Sequence, residues 1–167
     1  MATFEEYLSV RGDSLVRLAW LIAGDRHRGE DLAQEVFARA YVRWRRISTT
    51  AQPDLYLRQM LINANRSWWR RRSSHELPTD VSAELPHPAH FDTDTVERDA
   101  MWRLMAQLSR KQREVIVLRY YEDLDDNTIA TLLDCSAATV RTHARRALAL
   151  LRSRISDPSA IMPRSQS

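Results

Sequence analysis

The sequence predicts an all-α fold in which two small helical domains are joined by a flexible linker. The 167 residues contain only three glycines, and no segment alternates apolar and polar side chains as a half-buried strand does. Apolar residues instead recur at helical spacing, and residues 74–95 interrupt that periodicity with three of the six prolines. We therefore expect a first domain at residues 1–73, a linker at 74–95, a second domain at 96–155 and a disordered tail at 156–167.

Three helices are predicted in the first domain. The first has an apolar stripe made of Leu15, Leu18, Ala19 and Ile22. The polar stretch GDRHRGED then predicts a break, and a second helix should cover about residues 30–46, with an inward face of Ala33, Val36, Phe37, Ala40 and Trp44. A third helix is predicted at about residues 54–72, and its inward residues should be Leu57, Met60, Leu61, Ala64 and Trp68.

The outer face of the second predicted helix is acidic, although the protein has a formal net charge of +3. This face carries Asp31, Gln34, Glu35 and Ala38. Because Asp31 and Glu35 are four residues apart, their charges repel weakly, so helix stability does not explain the pair. The helix dipole explains Asp31 better than Glu35. The patch therefore favours a partner that presents arginines, with dipole compensation as the alternative.

The outer face of the third predicted helix mixes apolar, aromatic and basic side chains. It carries Gln59, Ile62, Asn63, Arg66, Trp69 and Arg70. Exposed Ile62 and Trp69 between arginines are typical of a surface that stacks unpaired bases while it follows the backbone. The alternative is that Trp69 covers the edge of the core and that residues 70–72 form a solvated helix end.

Residues 125–152 predict a helix, a tight turn and a second helix with a basic outer face. Ser136 is placed to cap the second helix by accepting a bond from the backbone N–H near Thr139. The inward stripe of that helix is Val140, Ala144, Ala147, Leu148 and Leu151, and the outer face includes Thr139, Thr142, Arg145 and Arg146. Arginine pairs with guanine and threonine contacts phosphates, so the pattern predicts a DNA-reading helix-turn-helix. An amphipathic helix with a solvated basic face is the alternative.

Several functional classes are not supported by the composition. The single cysteine, Cys135, excludes an internal disulfide and fits a reducing cytoplasm. No segment has the roughly 20 apolar residues that span a bilayer, so we expect no membrane insertion. A metal site would depend on residues in the linker that lack zinc-site spacing, namely His75, His87, His90 and Asp92. With no phosphate-binding glycine-rich loop, we expect no metal, no cofactor and no catalytic activity.

Three segments resemble, in the same order, segments of bacterial RNA polymerase sigma factors of the sigma-70 family. EDLAQEVFARAYVRW, at residues 30–44, resembles the segment that binds core polymerase. YLRQMLINANRSWWRRR, at residues 56–72, is similar to the segment that recognises and opens the minus-ten element, and residues 108–152 resemble the domain that reads the minus-thirty-five element. The chain is most similar to the two-domain extracytoplasmic-function class, and within it to the actinobacterial SigE-like group.

This resemblance implies a factor that binds core RNA polymerase, recognises the two promoter elements and promotes DNA melting for transcription initiation. It implies contacts with the clamp helices of the largest subunit by Asp31, Gln34 and Glu35, supported by Leu32 and Phe37. It implies that minus-ten DNA, duplex and single-stranded, is bound by Asn63, Arg66, Trp69 and Arg70, with the loop at about 47–53. The minus-thirty-five residues would be Thr139, Arg141, Thr142, His143, Arg145 and Arg146.

The resemblance also implies a cytoplasmic, nucleoid-associated protein that contacts the polymerase flap. Such factors commonly have an anti-sigma protein as a partner, although no residue here identifies one. Three residues depart from the family pattern: His143 stands where an arginine is usual, Ser67 replaces a frequent aspartate and Asp134 replaces a common glycine. A helix-turn-helix regulator that binds DNA as a dimer is the alternative function, but it leaves the acidic and aromatic surfaces of the first domain unexplained.

Overall fold

The computed structural model describes residues 2–75 and 96–157, and the described chain is helical throughout, with short connections. The first unit contains α1 (Phe4–Ala23), α2 (Arg26–Ile47) and α3 (Pro53–His75). The second contains α4 (Val96–Ala106), α5 (Arg110–Ile116), a π-helical turn (Val117–Tyr121), α6 (Asp126–Leu133) and α7 (Ala137–Ile155). The predicted all-α class is confirmed. Residues 76–95 and 158–167, which hold most of the predicted linker and tail, lie outside the described residues.

The connection between α1 and α2 is much shorter than the sequence predicted. Gly24 ends α1 in the left-handed conformation, with φ 73°, and the Asp25 side chain caps α2 by accepting a hydrogen bond of 2.9 Å from the backbone N–H of His27. The predicted break is present but covers only Gly24 and Asp25, because α2 begins at Arg26 and not near residue 30. The other polar residues of the predicted break, 26–31, form the first turns of α2.

Glycine at position 29 lets α2 lie directly against α1. A Cβ atom there would be 2.6 Å from the Cα atom and 2.7 Å from the backbone nitrogen of Trp20. Such distances are far inside van der Waals contact, and backbone atoms cannot move aside as a flexible side chain does. The tight helix pair therefore depends on this residue having no side chain.

The core of the first unit matches most of the predicted inward residues. Buried residues from all three helices include Leu15, Leu18, Ala19, Ile22, Ala33, Val36, Ala40, Leu57, Leu61 and Ala64. Phe37, Trp44, Met60 and Trp68 are half-buried. One assignment is wrong, because Ile62 was expected on the outer face but is fully buried. Helix α3 contacts both α1 and α2, so its apolar face is wider than the single stripe that periodicity predicts.

The second unit is organised around α7, which packs on α5 and α6. A capping box starts α5: the Ser109 hydroxyl accepts a bond of 3.2 Å from the backbone N–H of Gln112, whose side-chain oxygen accepts one of 3.1 Å from the backbone N–H of Ser109. The predicted stripe on α7 is confirmed at its N-terminal part, where Val140, Ala144 and Ala147 are buried. Leu148 and Leu151, nearer the end of the helix, are half-buried.

The substitution Gly29→Ala tests the contact between α1 and α2. We expect it to lower the free energy of unfolding of the first unit by about 1–3 kcal/mol, because the helices must separate. Gly12→Ala is the matched control, since a Cβ at Gly12 would be 3.7 Å from its nearest neighbour, on Leu8. That change should stabilise α1 by about 0.5–1 kcal/mol. Urea unfolding of both variants measures the effect, and equal stabilities would contradict the account of this contact.

Candidate polymerase and nucleic-acid interfaces

The acidic face, which we define as Asp31, Gln34 and Glu35, lies on the solvent side of α2. Asp31 and Gln34 are exposed and Glu35 is partly exposed, as the sequence predicted. Because α2 begins at Arg26, Asp31 lies in its second turn and Glu35 in its third, beyond the reach of the helix dipole. Dipole compensation therefore does not explain the acidic face.

Two apolar residues that the resemblance associates with this face lie at different depths. Leu32 is buried, with 6% of its surface exposed, and Phe37 is half-buried. Leu32 therefore packs beneath the acidic face and is not available for direct contact. Glu35 also forms an ion pair of 2.8 Å with Arg39, one turn further along α2. An exposed i,i+4 pair of this kind contributes only about 0.3–0.5 kcal/mol, so it leaves Glu35 accessible to a stronger partner.

A cavity of about 410 Å³ lies between α2 and α3, and we call it the α2–α3 cavity. Its polar lining consists of Arg39, Arg43, Tyr56, Gln59, Asn63 and Ser67. The Gln59 side-chain nitrogen donates a hydrogen bond of 3.0 Å to the Asn63 side-chain oxygen, so the two amides form one polar wall. Asn63 was predicted as a nucleic-acid contact, but the arginines of α2 were not. Nothing in the local sequence indicates that they face α3, since this depends on how the two helices pack.

Trp68 and Trp69, the tryptophan pair, lie at the C-terminal part of α3. Their rings are perpendicular, with an interplanar angle of 88° and centroids 5.0 Å apart. The guanidinium of Arg28 lies 4.2 Å from the Trp68 ring and 4.8 Å from the Trp69 ring, and that of Arg72 lies 5.1 Å and 5.9 Å away. Both indoles are half-buried. Trp69 is thus less exposed than expected and also covers the edge of the core.

The remaining predicted minus-ten residues differ in exposure. Asn63 and Arg70 are exposed, whereas Arg66 is half-buried. Arg70 donates a hydrogen bond of 3.2 Å to the Ser67 hydroxyl. Asn63 and Ser67 both line the α2–α3 cavity, and Ser67 is hydrogen-bonded to Arg70 at the end of the helix. The cavity and the helix end therefore share one continuous polar surface.

The loop between α2 and α3 is anchored at both ends. At its start, the Thr50 hydroxyl donates a hydrogen bond of 2.7 Å to the carbonyl of Ile47, which is fully buried. At its end, Asp54 accepts a bond of 2.6 Å from the Tyr7 hydroxyl and pairs with Arg11 at 3.2 Å. Burial and the Asp54 carboxylate raise the pKa of Tyr7, so its hydroxyl stays protonated and keeps donating. These contacts hold the loop in one position beside the cavity.

In the second unit, the turn between α6 and α7 has the geometry predicted for a helix-turn-helix. Asp134 ends α6 in the left-handed conformation, with φ 54°, which aspartate tolerates better than most residues. Ser136 caps α7, since its hydroxyl accepts a bond of 3.1 Å from the backbone N–H of Thr139. Asp125 caps α6 through a bond of 2.7 Å from the backbone N–H of Thr128, and this bond lowers the pKa of Asp125. Sequence reasoning missed this last cap.

The basic face of α7, as we call the six residues predicted to meet minus-thirty-five DNA, is mostly exposed. Thr139, Arg141, Arg145 and Arg146 are exposed, and Thr142 and His143 are half-buried. The Thr142 hydroxyl donates to the carbonyl of Ala138, so it is already engaged within the helix. Burial lowers the pKa of His143, and the positive charges of Lys111 and Arg146 lower it further. His143 is therefore largely neutral at pH 7.

Two family models match the chain. The model described as Sigma-70 region 2 matches residues 11–75, and that described as Sigma-70, region 4 matches residues 98–151. The chain belongs to the sigma-70 family. The region 2 match accounts for the first unit, which a dimeric helix-turn-helix regulator left unexplained. The protein is thus a sigma factor of the extracytoplasmic-function class, whose members direct promoter recognition in transcription initiation.

The sigma factor has relatives of similar length. It is 38% identical over 149 residues to the RNA polymerase sigma-E factor of Streptomyces coelicolor, a match that covers 89% of this chain and 84% of the relative. The sigma-E factor of Streptomyces avermitilis is 37% identical, with 89% and 83% covered. The extracytoplasmic-function factor SigW of Bacillus subtilis is 24% identical, with 92% and 89% covered.

A solved structure has the same fold. It is the sigma factor RpoE of Bartonella quintana in complex with the anti-sigma factor NepR, and the TM-score is 0.72. The identity is 20%, and the match covers 93% of this sigma factor and 98% of that chain. Within the residues that the structure describes, no helix is long and apolar enough to cross a membrane.

Proposed function

We propose that this sigma factor binds core RNA polymerase and promoter DNA at the same time, through different faces of region 2 and through region 4. The observation that carries the proposal is the division of charge on α2. Its second and third turns carry Asp31 and Glu35, whereas its later turns contribute Arg39 and Arg43 to the α2–α3 cavity. Opposite charges on successive turns of one helix suit two partners of opposite charge.

The acidic face binds the clamp helices of the polymerase's largest subunit. Asp31 and Gln34 are exposed there, and Glu35 exchanges its weak pair with Arg39 for a basic group of the polymerase. Buried Leu32 and half-buried Phe37 support the helix from beneath. Region 4 contacts the flap. Because the acidic face follows the second and third turns of α2, its partner is an elongated basic surface, as a helix provides.

The α2–α3 cavity and the tryptophan pair bind the minus-ten element and begin DNA melting. A cavity of about 410 Å³ has room for an unstacked base, and the amides of Gln59 and Asn63 supply donors and acceptors for its edge. Arg66 and Arg70 neutralise phosphates of the displaced strand, and Trp69 stacks a base. Holding the unpaired bases offsets the few kcal/mol that unstacking costs.

The basic face of α7 reads the minus-thirty-five element in the major groove. Arg145 and Arg146 are exposed and one side of the helix is free of the core, as a recognition helix requires. Thr139 and Arg141 lie at its N-terminal end, where such helices contact base edges and phosphates. His143 adds a contact that depends on protonation.

The remaining assignments follow from these partners. The helices up to His75 act as the region 2 domain and residues 96–155 act as the region 4 domain. The sigma factor acts in the cytoplasm at the nucleoid, without catalytic activity, metal or cofactor. An anti-sigma protein regulates it, by analogy with the complex of the Bartonella relative.

Retention by purified core RNA polymerase on a sizing column tests the proposal. We expect the wild type to co-elute and the double variant Asp31→Arg/Glu35→Arg to lose retention at least tenfold, because like charges then face each other. The control is Glu5→Arg/Asp13→Arg, which makes the same charge change at exposed positions of α1. Equal loss in both double variants, or none in the first, would contradict docking through the acidic face.

Single substitutions in the two domains test the division of promoter recognition. Arg146→Ala should weaken closed-complex formation about tenfold, as expected for a lost phosphate or guanine contact. Trp69→Ala should leave closed complexes intact and reduce the open fraction about tenfold, because stacking is lost. Band shifts measure the first quantity and permanganate reactivity of minus-ten thymines the second. Equal loss of closed complexes in both variants would rule out this division.

The lowered pKa of His143 predicts a dependence on pH. In the free protein, folding favours the neutral form of His143. The stability that the neutral imidazole contributes is therefore present above pH 6.5 and is lost as the pH falls. A nearby phosphate favours the protonated form of His143, so promoter affinity should rise as the pH falls over the same range. His143→Arg should remove that rise and steepen the slope of log K against log salt by about 0.9.

Fluorescence anisotropy of a labelled promoter duplex, measured with holoenzyme from pH 5.5 to 8 (roughly the range in which histidine titrates), provides the readout. The control is His27→Arg, which makes the same change at an exposed position of α2. If the pH profile of His143→Arg were the same as that of the wild type, His143 would not be a promoter contact.

A further inference from the structure

Arg28 is charged, but its side chain is packed against other side chains and is not surrounded by solvent. It lies in the first turn of α2, is half-buried, and has the tryptophan pair beneath its guanidinium at 4.2 Å and 4.8 Å. It does not belong to the acidic face, the α2–α3 cavity or the basic face of α7. Its position therefore needs a separate explanation.

Two acceptors from neighbouring helices hold the Arg28 guanidinium in place. Its Nη2 atom donates to the carbonyl oxygen of Ala23, the last residue of α1, and to the side-chain oxygen of Asn65 at 3.1 Å. Asn65 is itself 1% exposed, and its side-chain nitrogen donates at 3.4 Å to the carbonyl of Ile22. The C-terminal end of a helix favours a cation through its unpaired carbonyls and its dipole. Arg28 is thus fixed by α1 and α3 together.

The close contact of α1 and α2 brings Arg28 to this position. Gly29, the next residue, lies against the backbone of Trp20, so the first turn of α2 passes directly over the end of α1. Its neighbour Arg26, in the same turn, contacts a different ring: its guanidinium lies 4.8 Å from Trp20, and its side chain pairs with Glu30 at 3.2 Å. The guanidinium of Arg26 thus lies over Trp20, whereas that of Arg28 lies over the tryptophan pair.

The orientation of Trp69 depends on what packs against its ring. The indole N–H is buried and has no hydrogen-bond partner among the residues that the structure describes. Its ring is held by the perpendicular ring of Trp68 and by the guanidinium groups over the pair. Arg72, the second cation, is on an exposed part of α3, whereas Arg28 is anchored to buried acceptors. Arg28 therefore makes a contact on the pair that is tied to the end of α1 and to a buried residue of α3.

We infer that Arg28 is a positioning residue for promoter opening. Through its anchored guanidinium it holds Trp68 and Trp69 in the perpendicular arrangement in which Trp69 receives an unpaired base, and it does not itself contact DNA. The inference rests on the proposed role of Trp69 at the minus-ten element. It adds a residue of α2, outside the nucleic-acid surface, to the group that determines how readily the promoter opens.

The test uses holoenzyme made with Arg28→Gln, which keeps a side-chain donor but removes the cation. We expect the open fraction, measured by permanganate reactivity of minus-ten thymines, to fall about tenfold, as loss of a partly buried cation–π contact predicts. Retention by core polymerase and closed-complex formation should stay at wild-type levels. Arg28→Lys should recover part of the opening, because it restores the charge without the planar hydrogen-bonding geometry.

Arg26→Gln is the matched control, since it removes an arginine of the same turn that lies over a different tryptophan. It should open promoters as the wild type does. The chain is also labelled with 5-fluorotryptophan, and the ¹⁹F resonances of the tryptophan pair are assigned by Trp→Phe substitution. Arg28→Gln should shift or broaden these two resonances, Arg28→Lys should move them back toward their original positions, and Arg26→Gln should leave them unchanged. This spectrum reports the positioning even where a variant is less stable.

Combination with Trp69→Ala separates this inference from the proposed function. If Arg28 acts through Trp69, the double variant Arg28→Gln/Trp69→Ala opens no worse than Trp69→Ala alone. Normal opening by Trp69→Ala overturns the proposed stacking role, and the inference with it. A defect in Trp69→Ala together with wild-type opening or unchanged ¹⁹F resonances in Arg28→Gln overturns the inference alone. Additive defects in the double variant also overturn it, because Arg28 then acts independently of the pair.

Discussion

The contact between Gly29 and the backbone of Trp20 is the constraint on which the surfaces of region 2 depend. It lets α2 begin immediately after α1 and lie against it without a side chain between them. Since a helix turns 100° per residue, that starting point determines the direction of every later side chain on α2. Asp31 and Gln34 consequently face solvent, Arg39 and Arg43 face the cavity beside α3, and Arg28 reaches the tryptophan pair.

In the proposed function, the division of charge on α2 lets region 2 bind a protein and a nucleic acid together. The formal net charge of the chain is only +3, so its overall field is weak and local patches decide which face meets which partner. In that proposal, like charges discourage contact of the acidic face with DNA, and the arginines of the cavity discourage contact with a basic polymerase surface. Orientation on the polymerase is thereby built into one helix.

Elements governed by local rules could be predicted from the sequence, and those governed by helix packing could not. The Ser136 cap and the buried positions Val140 and Ala144 follow from spacing alone, and the structure has them as predicted. Ile62 was misassigned because α3 packs against two helices rather than one. The α2–α3 cavity and the place of Arg28 depend on how α1, α2 and α3 meet, which no short-range pattern encodes. The residues that contact polymerase and DNA remain predictions.

The most direct test of promoter recognition by two domains is transcription from a randomised template library. Core RNA polymerase is supplied with this sigma factor, and the templates that yield transcripts are sequenced. Recognition by regions 2 and 4 predicts two enriched sequence blocks upstream of each start site, at a constant separation, with only the upstream block lost in the Arg146→Ala variant. A single palindromic block, or transcripts with no enriched sequence, would contradict the role assigned to the two domains.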